Sequence, residues 1–343
     1  MIFGVGEEGG SSGDEQDESH GAGSASTTLS FIFDSTSLSA IFLQGSAATV
    51  IQDLTLQGAN TNQASGIAAL GGLQATLILN SVRITNFGYA GLQNVNATVT
   101  VTSSTIDHNG LYGSLPLGGG ILNGGALTLN RCTVADNFAS TGGGIYNLGH
   151  LEVYLSSIEN NYSVFDGGGI ELEGQLITED TTFTGNSADR GGALFWDAST
   201  AGAYLELNRS TLAFNDASTG GGVAISPTGG TNKMGGENII ANNTGGDIDA
   251  DLSSVGGLNL VKDPTGITNP PSGWIYNQDP MLGTYSSIDG LPKAFALLPD
   301  SPAIDVTADP GGFFNALDQR GFPRPPRWKR RRSGSLRPRC IRI

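Results

Sequence analysis

Cysteine is almost missing from this chain. Cys132 and Cys340 are the only two in 343 residues, and they stand far apart in unlike contexts, so they supply neither a disulfide framework nor a metal site. They leave the redox compartment undetermined. No apolar run is long enough to make a membrane-spanning helix. The N-terminus has no basic stretch leading into an apolar one, and residues 7–18 read EEGGSSGDEQDE. If the parent protein is exported, its signal is expected to lie outside this sequence. Charged residues are few at 14 %, and aromatic ones reach only 7 %.

Basic residues are scarcer still outside the C-terminal end. Ten of the seventeen (Arg320, Arg324, Arg327, Lys329, Arg330, Arg331, Arg332, Arg337, Arg339 and Arg342) lie beyond position 319, where no acidic residue occurs. The chain from 1 to 319 therefore carries 7 basic against 32 acidic groups, a net charge of 7 − 32 = −25. A body this acidic repels phosphate backbones, which excludes nucleic acid as a partner of the folded part.

Glycine, by contrast, is abundant at 52 residues, about twice its usual share. It keeps no three-residue period, so a collagen helix is excluded. Val, Ile and Leu are scattered evenly among turn-forming residues, the pattern of many short strands. Three segments align without gaps: GGGILNGGALTLNRCTVADN from Gly118, GGGIYNLGHLEVYLSSIENN from Gly142 and GGGIELEGQLITEDTTFTGN from Gly167. Ile121, Ile145 and Ile170 recur with a period of about 24 residues, as do Leu127, Leu151 and Leu176, and Val134, Ile158 and Phe183. A fourth copy runs from Gly191 through Leu205, Leu212 and Asn215, with an insertion around 196–203. Weaker copies occupy Val50–Asn60, Ile67–Asn86, Leu92–Asn109 and Val223–Asn242.

Within one copy Leu127, Leu129, Cys132 and Val134 alternate with Thr128 and Thr133, a strand period broken once between Leu129 and Cys132. The break predicts a bend that turns apolar groups of two strands inward. Each copy then reads as strand, corner, strand, corner, with Gly and Asn supplying the positive φ of the corners. A single coil cannot bury its apolar row, so about eight coils must stack at roughly 4.8 Å into a rod on the order of 40 Å long. Stacking places Ser104, Cys132, Ser156, Thr181 and Ser210 in one small inward column, and makes Cys132 a buried packing residue. Asn109, Asn137, Asn161, Asn186, Asn215 and Asn242 close successive coils, as an amide ladder along the stack or as a row of amides offered to a sugar.

These repeats resemble those of bacterial surface and secreted β-helix proteins, including polymorphic outer-membrane-protein-like repeats. ENIIANNTGGDIDADLSSVGGLNLV, NQDPMLG, AFALLPDSPAID and LDQRGFPRP follow in the order of a choice-of-anchor Q region. The resemblance covers roughly residues 40–326. It implies an all-β, right-handed parallel β-helix of the pectin-lyase-like kind on a cell surface or outside the cell. In such proteins the DQRG segment is followed by an acidic Asp/Gly stretch and an ending like CDIGAFE. Here RWKRRRSGSLRPRCIRI follows instead. Back-translation of Arg327–Ile343 read one nucleotide later can give DGNGDGVAACDPGAFE, so the tail is expected to be a frameshift product.

Catalytic residues are hard to find. A calcium-dependent lyase needs clustered carboxylates and a nearby cationic base. Residues 41–245 offer only Arg83, Arg131, Arg190, Arg209 and Lys233. Arg190, beside Asp189 at a coil boundary, is the best candidate base, although an exposed corner ion pair is the commoner role for such a residue. Asp107-His108-Asn109 and Asp136-Asn137 fall at equivalent coil ends, where they could set carboxylates about one coil apart, but they read first as solvated corners. Asp247, Asp249 and Asp251 have the spacing that opens a calcium loop but lack its later Gly and Glu (Leu252 and Leu258 stand there), so calcium is the one cofactor left open. Tyr146, Tyr154, Tyr162, Phe165, Trp196 and Tyr204 lie on or beside neighbouring coils and could form a sugar-stacking strip or cover the flank.

The expected organisation is an acidic disordered segment over 1–29, a solenoid over 30–260, an irregular C-terminal cap over 261–326 and a disordered basic tail over 327–343. The expected function is a non-catalytic, monomeric surface protein that meets a polysaccharide or a host or cell-surface glycan through a rigid face. The alternative is a polysaccharide lyase or glycoside hydrolase with an unrecognised site.

Overall fold

A computed structural model of the chain describes residues 27–30, 39–43, 48–59, 64–70, 75–110, 116–200, 202–226, 234–252, 257–287, 290–304 and 318–320. The expectations for the acidic N-terminal residues 1–26 and for the tail 327–343 fall outside this set. Among the described residues every regular element is a strand, and no helix is long and apolar enough to cross a membrane.

The coil starting at Ile121 shows how the sequence makes the fold. Ile121–Asn123 forms a short strand, Gly124-Gly125 turns the chain, and Ala126–Asn130 and Thr133–Ala135 form two more strands separated by a bend. Phe138–Ala139 forms a fourth before the Gly142-Gly143-Gly144 corner. These strands build three faces: a front face of ten parallel strands, a broad face of sixteen, and a narrow face of four. The coil is therefore one face richer than the strand, corner, strand, corner reading. The narrow face was missed because two-residue strands such as Phe138–Ala139 are too short to show a period. Ten strands at about 4.8 Å make a front face roughly 40 Å long.

Register is one residue on one residue throughout. Ile145 pairs with Ile121 and Ile170, Leu151 with Leu127 and Leu176, and Ile158 with Val134 and Phe183. All nine are buried in a single core; each contributes on the order of 1.5–3 kcal/mol by leaving water. The inward column of Ser104, Cys132, Ser156, Thr181 and Ser210 is also buried, and the Ser156 hydroxyl accepts the Cys132 N–H at 3.0 Å.

Corners are less dependent on glycine than the sequence suggests. The bend between the two broad-face strands has positive φ at Ser103, Arg131, Leu155, Asp180 and Arg209, a conformation costing a non-glycine residue about 1–2 kcal/mol. Stacking holds it, since the Arg131 N–H donates to the Tyr154 carbonyl and the Leu155 N–H to the Glu179 carbonyl. Glycine is required at the later corner. Gly142 has φ +65°, and a Cβ on Gly143 would come within 2.5 Å of the Tyr162 carbonyl oxygen.

The amide ladder exists, with one correction. Asn109, Asn137, Asn161, Asn186 and Asn215 each donate their backbone N–H and side-chain amide to the Oδ1 of the next member at 2.9–3.1 Å. The last member is Asn243, not Asn242. Asn242 occupies the left-handed corner one residue earlier and accepts from Lys262 Nζ. Asn243 in turn donates to Asp247 at 2.8 Å. A second ladder, Asn94, Asn123 and Asn147, runs beneath the front face.

Parallel pairing continues through Leu260–Val261, Ile267–Thr268 and Ile275–Tyr276. The chain then reverses into an antiparallel hairpin, Leu282–Ser286 with Ala294–Leu297, which lies back along the broad face. Tyr285 and Lys293 both bind the buried Glu159, and Phe295 packs on Phe214 with centroids 5.4 Å apart. From the DQRG motif, Gln319 accepts the Thr182 hydroxyl and donates to the Ser156 and Lys293 carbonyls at 2.9 Å.

Replacing Asn243 with alanine strands the Asn215 N–H and amide and the Leu212 carbonyl, and is expected to cost about 2–3 kcal/mol. Asn242→Gly keeps the left-handed corner and should cost under about 1 kcal/mol. Urea unfolding of the two variants checks the register; equal losses would contradict it.

Candidate functional site

Outward side chains on the front face stack as strictly as inward ones, giving the column Leu122, Tyr146, Glu171, Phe195 and Ala224. Tyr146, Glu171 and Phe195 point away from the core yet are buried, because charged side chains from the two flanking corners close over them. On one flank Asp166 holds Arg190 in a bidentate pair, both bonds 2.7 Å, and the guanidinium lies 4.3 Å above the Phe195 ring. On the other flank the Tyr146 hydroxyl donates to Glu173, and Asp197 accepts the Ser199 N–H at 3.0 Å and the Ser226 hydroxyl at 3.3 Å.

Glu171 is the anomaly of this face. It is 4 % exposed, and its Oε2 has no hydrogen-bond partner. Burial, followed by the negative charges of Asp166, Glu173 and Asp197, pushes its carboxyl up to about 9 against the opposing pull of Arg190. Asp197 moves the other way, held below the usual carboxylate range by its two serine partners. One carboxyl is thus protonated at neutral pH while the neighbouring Asp197 is held in its ionised form, a separation that marks functional sites more often than inert surface. No three acidic, histidine or cysteine side chains among the described residues are placed to hold a metal ion.

The other residues singled out by sequence scatter. Arg190 makes its ion pair across the stack with Asp166, not with the adjacent Asp189. Asp107 does not pair in register with Asp136; it lies opposite Ala135 and is held by Arg83 at 2.6 Å. Asp247 is fully buried at the end of the ladder, while Asp249 and Asp251 are exposed on the front face, so the one-three-five spacing brings no calcium ligands together. Arg209 is buried between Glu179 and Asp180. Lys233 lies outside the described residues.

Nor do the aromatics form one strip. Trp196 points inward and is fully buried, Tyr146 is on the front face, and Tyr154 and Tyr204 are on the broad face. Tyr162 does meet an aromatic neighbour. Tyr162 stacks on Phe138 of the preceding coil, with centroids 5.5 Å apart and planes 14° from parallel, and Phe165 follows on the next corner. Tyr162 is 47 % and Phe165 55 % exposed. Phe138 escaped the sequence reading, although it occupies the position of Tyr162 one coil earlier.

Glu171 gives the site a pH signature. Its folded value of about 9 lies above its ordinary 4.5, so the folded state keeps a proton that the unfolded chain releases. Its contribution to stability is complete below about pH 4.5 and declines as pH rises toward about 9. Glu171→Gln should flatten this decline, raising stability at about pH 8 relative to wild type and leaving it nearly unchanged at about pH 4. Parallel melting profiles for the two proteins across that range would contradict the assignment.

Comparison with known proteins yields one family. Searches of curated proteins and of solved structures returned no match. A model of the family described as "Right handed beta helix region" matches residues 39–244, beginning at the first described residue of the front face and ending one residue past Asn243, the last asparagine of the ladder. That span is more than half of the chain and contains strands of all three faces. With the all-parallel stacking and the unbroken register, it shows that the chain belongs to the right-handed parallel β-helix family.

Proposed function

We propose that this protein is a non-catalytic, extracellular or cell-surface β-helix that contacts a glycan without acidic groups, along the ledge of Phe138, Tyr162 and Phe165. The near-parallel stack of the half-buried Phe138 under the exposed Tyr162 carries the reading. A pyranose ring has a flat C–H face that stacks on such rings, as apolar ligand surface does on exposed aromatics generally. The pair sits on hydrogen-bonded strands, so little ordering is needed on binding. The net charge of −25 from position 1 to 319 disfavours uronates and sulfated glycans. The resemblance of the C-terminal motifs to choice-of-anchor Q regions supports a surface location.

Cleavage is less well supported. Arg190, the best base by sequence, is committed to Asp166, and its pKa is raised chiefly by that hydrogen bond, the reverse of what a lyase base needs.

Calorimetric titration with neutral β-linked gluco- and N-acetylgluco-oligosaccharides tests the proposal. Tyr162→Ala and Phe165→Ala should each weaken binding about tenfold, or ~1.4 kcal/mol, while Tyr154→Ala on the broad face leaves it unchanged. Binding indifferent to both ledge variants would remove the ledge as the site, and release of reducing ends or unsaturated products would replace the proposal with an enzyme.

A further inference from the structure

Resting on the glycan-contact reading, we infer that the ledge continues into a recognition site for amine-bearing sugars, where a ligand ammonium pairs with the Glu171 carboxylate on the front face while the neighbouring rings lie on Phe165 and Tyr162.

The two regions are joined through one residue. The Phe165 carbonyl accepts the N–H groups of Asp189 and Arg190 at 2.8 and 3.1 Å, and Phe165 immediately precedes Asp166, which forms the rim of the front-face cluster. A saccharide leaving the ledge therefore meets Asp166, Arg190 and Phe195 in turn, with Glu171 in the column between Phe195 and Tyr146.

The cluster lacks positive charge. Asp166, Glu173 and Asp197 face Glu171, with Arg190 as the opposing cation and the Tyr146 hydroxyl already donated to Glu173. Three carboxylates against one guanidinium leave 1 − 3 = −2 before Glu171 is counted. The guanidinium is taken up by both oxygens of Asp166. Glu171 Oε2 is left as a buried oxygen without a donor, and buried acceptors are seldom left so unless something else meets them. The donor must be cationic to compensate the local charge, and the described side chains make no three-carboxylate metal site. An organic ammonium answers both needs, since its N–H groups form charge-assisted bonds to more than one carboxylate. An amino sugar carries that ammonium on the ring that stacks. Entry follows displacement of the Arg190 side chain, which is 49 % exposed and lies over Phe195.

Pairing with an ammonium lets Glu171 ionise, so binding near neutral pH releases a proton from the protein. This separates an ion pair at Glu171 from nonspecific attraction to an acidic surface.

The test is calorimetric titration of the full chain at about pH 6 with glucosamine oligomers, with N-acetylglucosamine oligomers of equal length, and with oligolysine, each in two buffers of different ionisation enthalpy. The amine form should bind at least tenfold more tightly than the acetylated form and show proton release. Glu171→Gln, with folding checked by far-UV circular dichroism, should abolish the proton release and remove that tenfold preference while leaving the acetylated form unaffected. Asp197→Asn should reduce the preference as well. Equal binding of the two oligomers would overturn the amine site yet leave the ledge intact. Failure of both oligomers to bind would remove the glycan reading itself. Oligolysine binding as tightly as the glucosamine oligomers, or a preference untouched by Glu171→Gln, would reduce the effect to surface charge and also overturn the inference.

Discussion

The whole structure depends on stacking each coil over the last in strict register at the spacing of a hydrogen-bonded sheet. Strands satisfy this constraint automatically, because each strand's backbone groups meet the next strand's. Corners do not, and a solenoid of about eight turns would bury many unpaired N–H groups. The asparagine ladder solves the problem with one residue per coil: from Asn137 onward each Oδ1 takes two donors from the coil before, Asn109 takes the Phe87 N–H, and each amide also reaches a carbonyl of that coil, as Asn137 does at Ile106. A ladder member cannot shift without exposing its neighbours. Corner conformations that would be strained in isolation, such as the left-handed Leu155, are held for the same reason.

Register also explains the face on which function is proposed. Because outward residues stack as rigidly as inward ones, one substitution per coil writes a column of chosen chemistry on the surface. On the narrow face this brings Phe138 under Tyr162. On the front face it places Glu171 between two aromatic residues and under corner side chains from two coils, a depth that a flat sheet would not give an outward carboxyl. The C-terminal hairpin covers part of the broad face through Glu159 and Phe214, leaving the front and narrow faces as the surfaces that carry the ledge and the carboxylate cluster.

Sequence made the repeated columns legible, since Ile121, Ile145 and Ile170 or Val134, Ile158 and Phe183 announce their equivalence by type and spacing. It failed where equivalence is not a matter of type. Asn242 and Asn243 are the same residue, and only hydrogen bonding shows which one joins the ladder. The Asp166–Arg190 pair spans two coils and lost to the adjacent Asp189, because sequence proximity ranks neighbours that stacking then separates. Glu171 gave no signal at all: as an outward residue with a charge it reads as solvated, and its burial comes from the corners of its own coil, at Asp166 and Glu173, together with Arg190 and Asp197 of the next. The second amide ladder could have been found, since Asn94, Asn123 and Asn147 close the same three-residue strand in successive coils.

The ladder's central role is open to direct measurement by native-state hydrogen exchange. The backbone N–H groups of Asn109, Asn137, Asn161, Asn186 and Asn215 belong to corners, where exchange is ordinarily fast, yet each donates to a ladder side-chain oxygen at 2.9–3.1 Å, buried for the first four and half-buried at Asn243 for the last. The account predicts that these five amides exchange only through global unfolding, with the same protection as the core strand amides of Leu127, Leu151 and Leu176. Exchange at rates typical of exposed turns, while the strands stay protected, would contradict it.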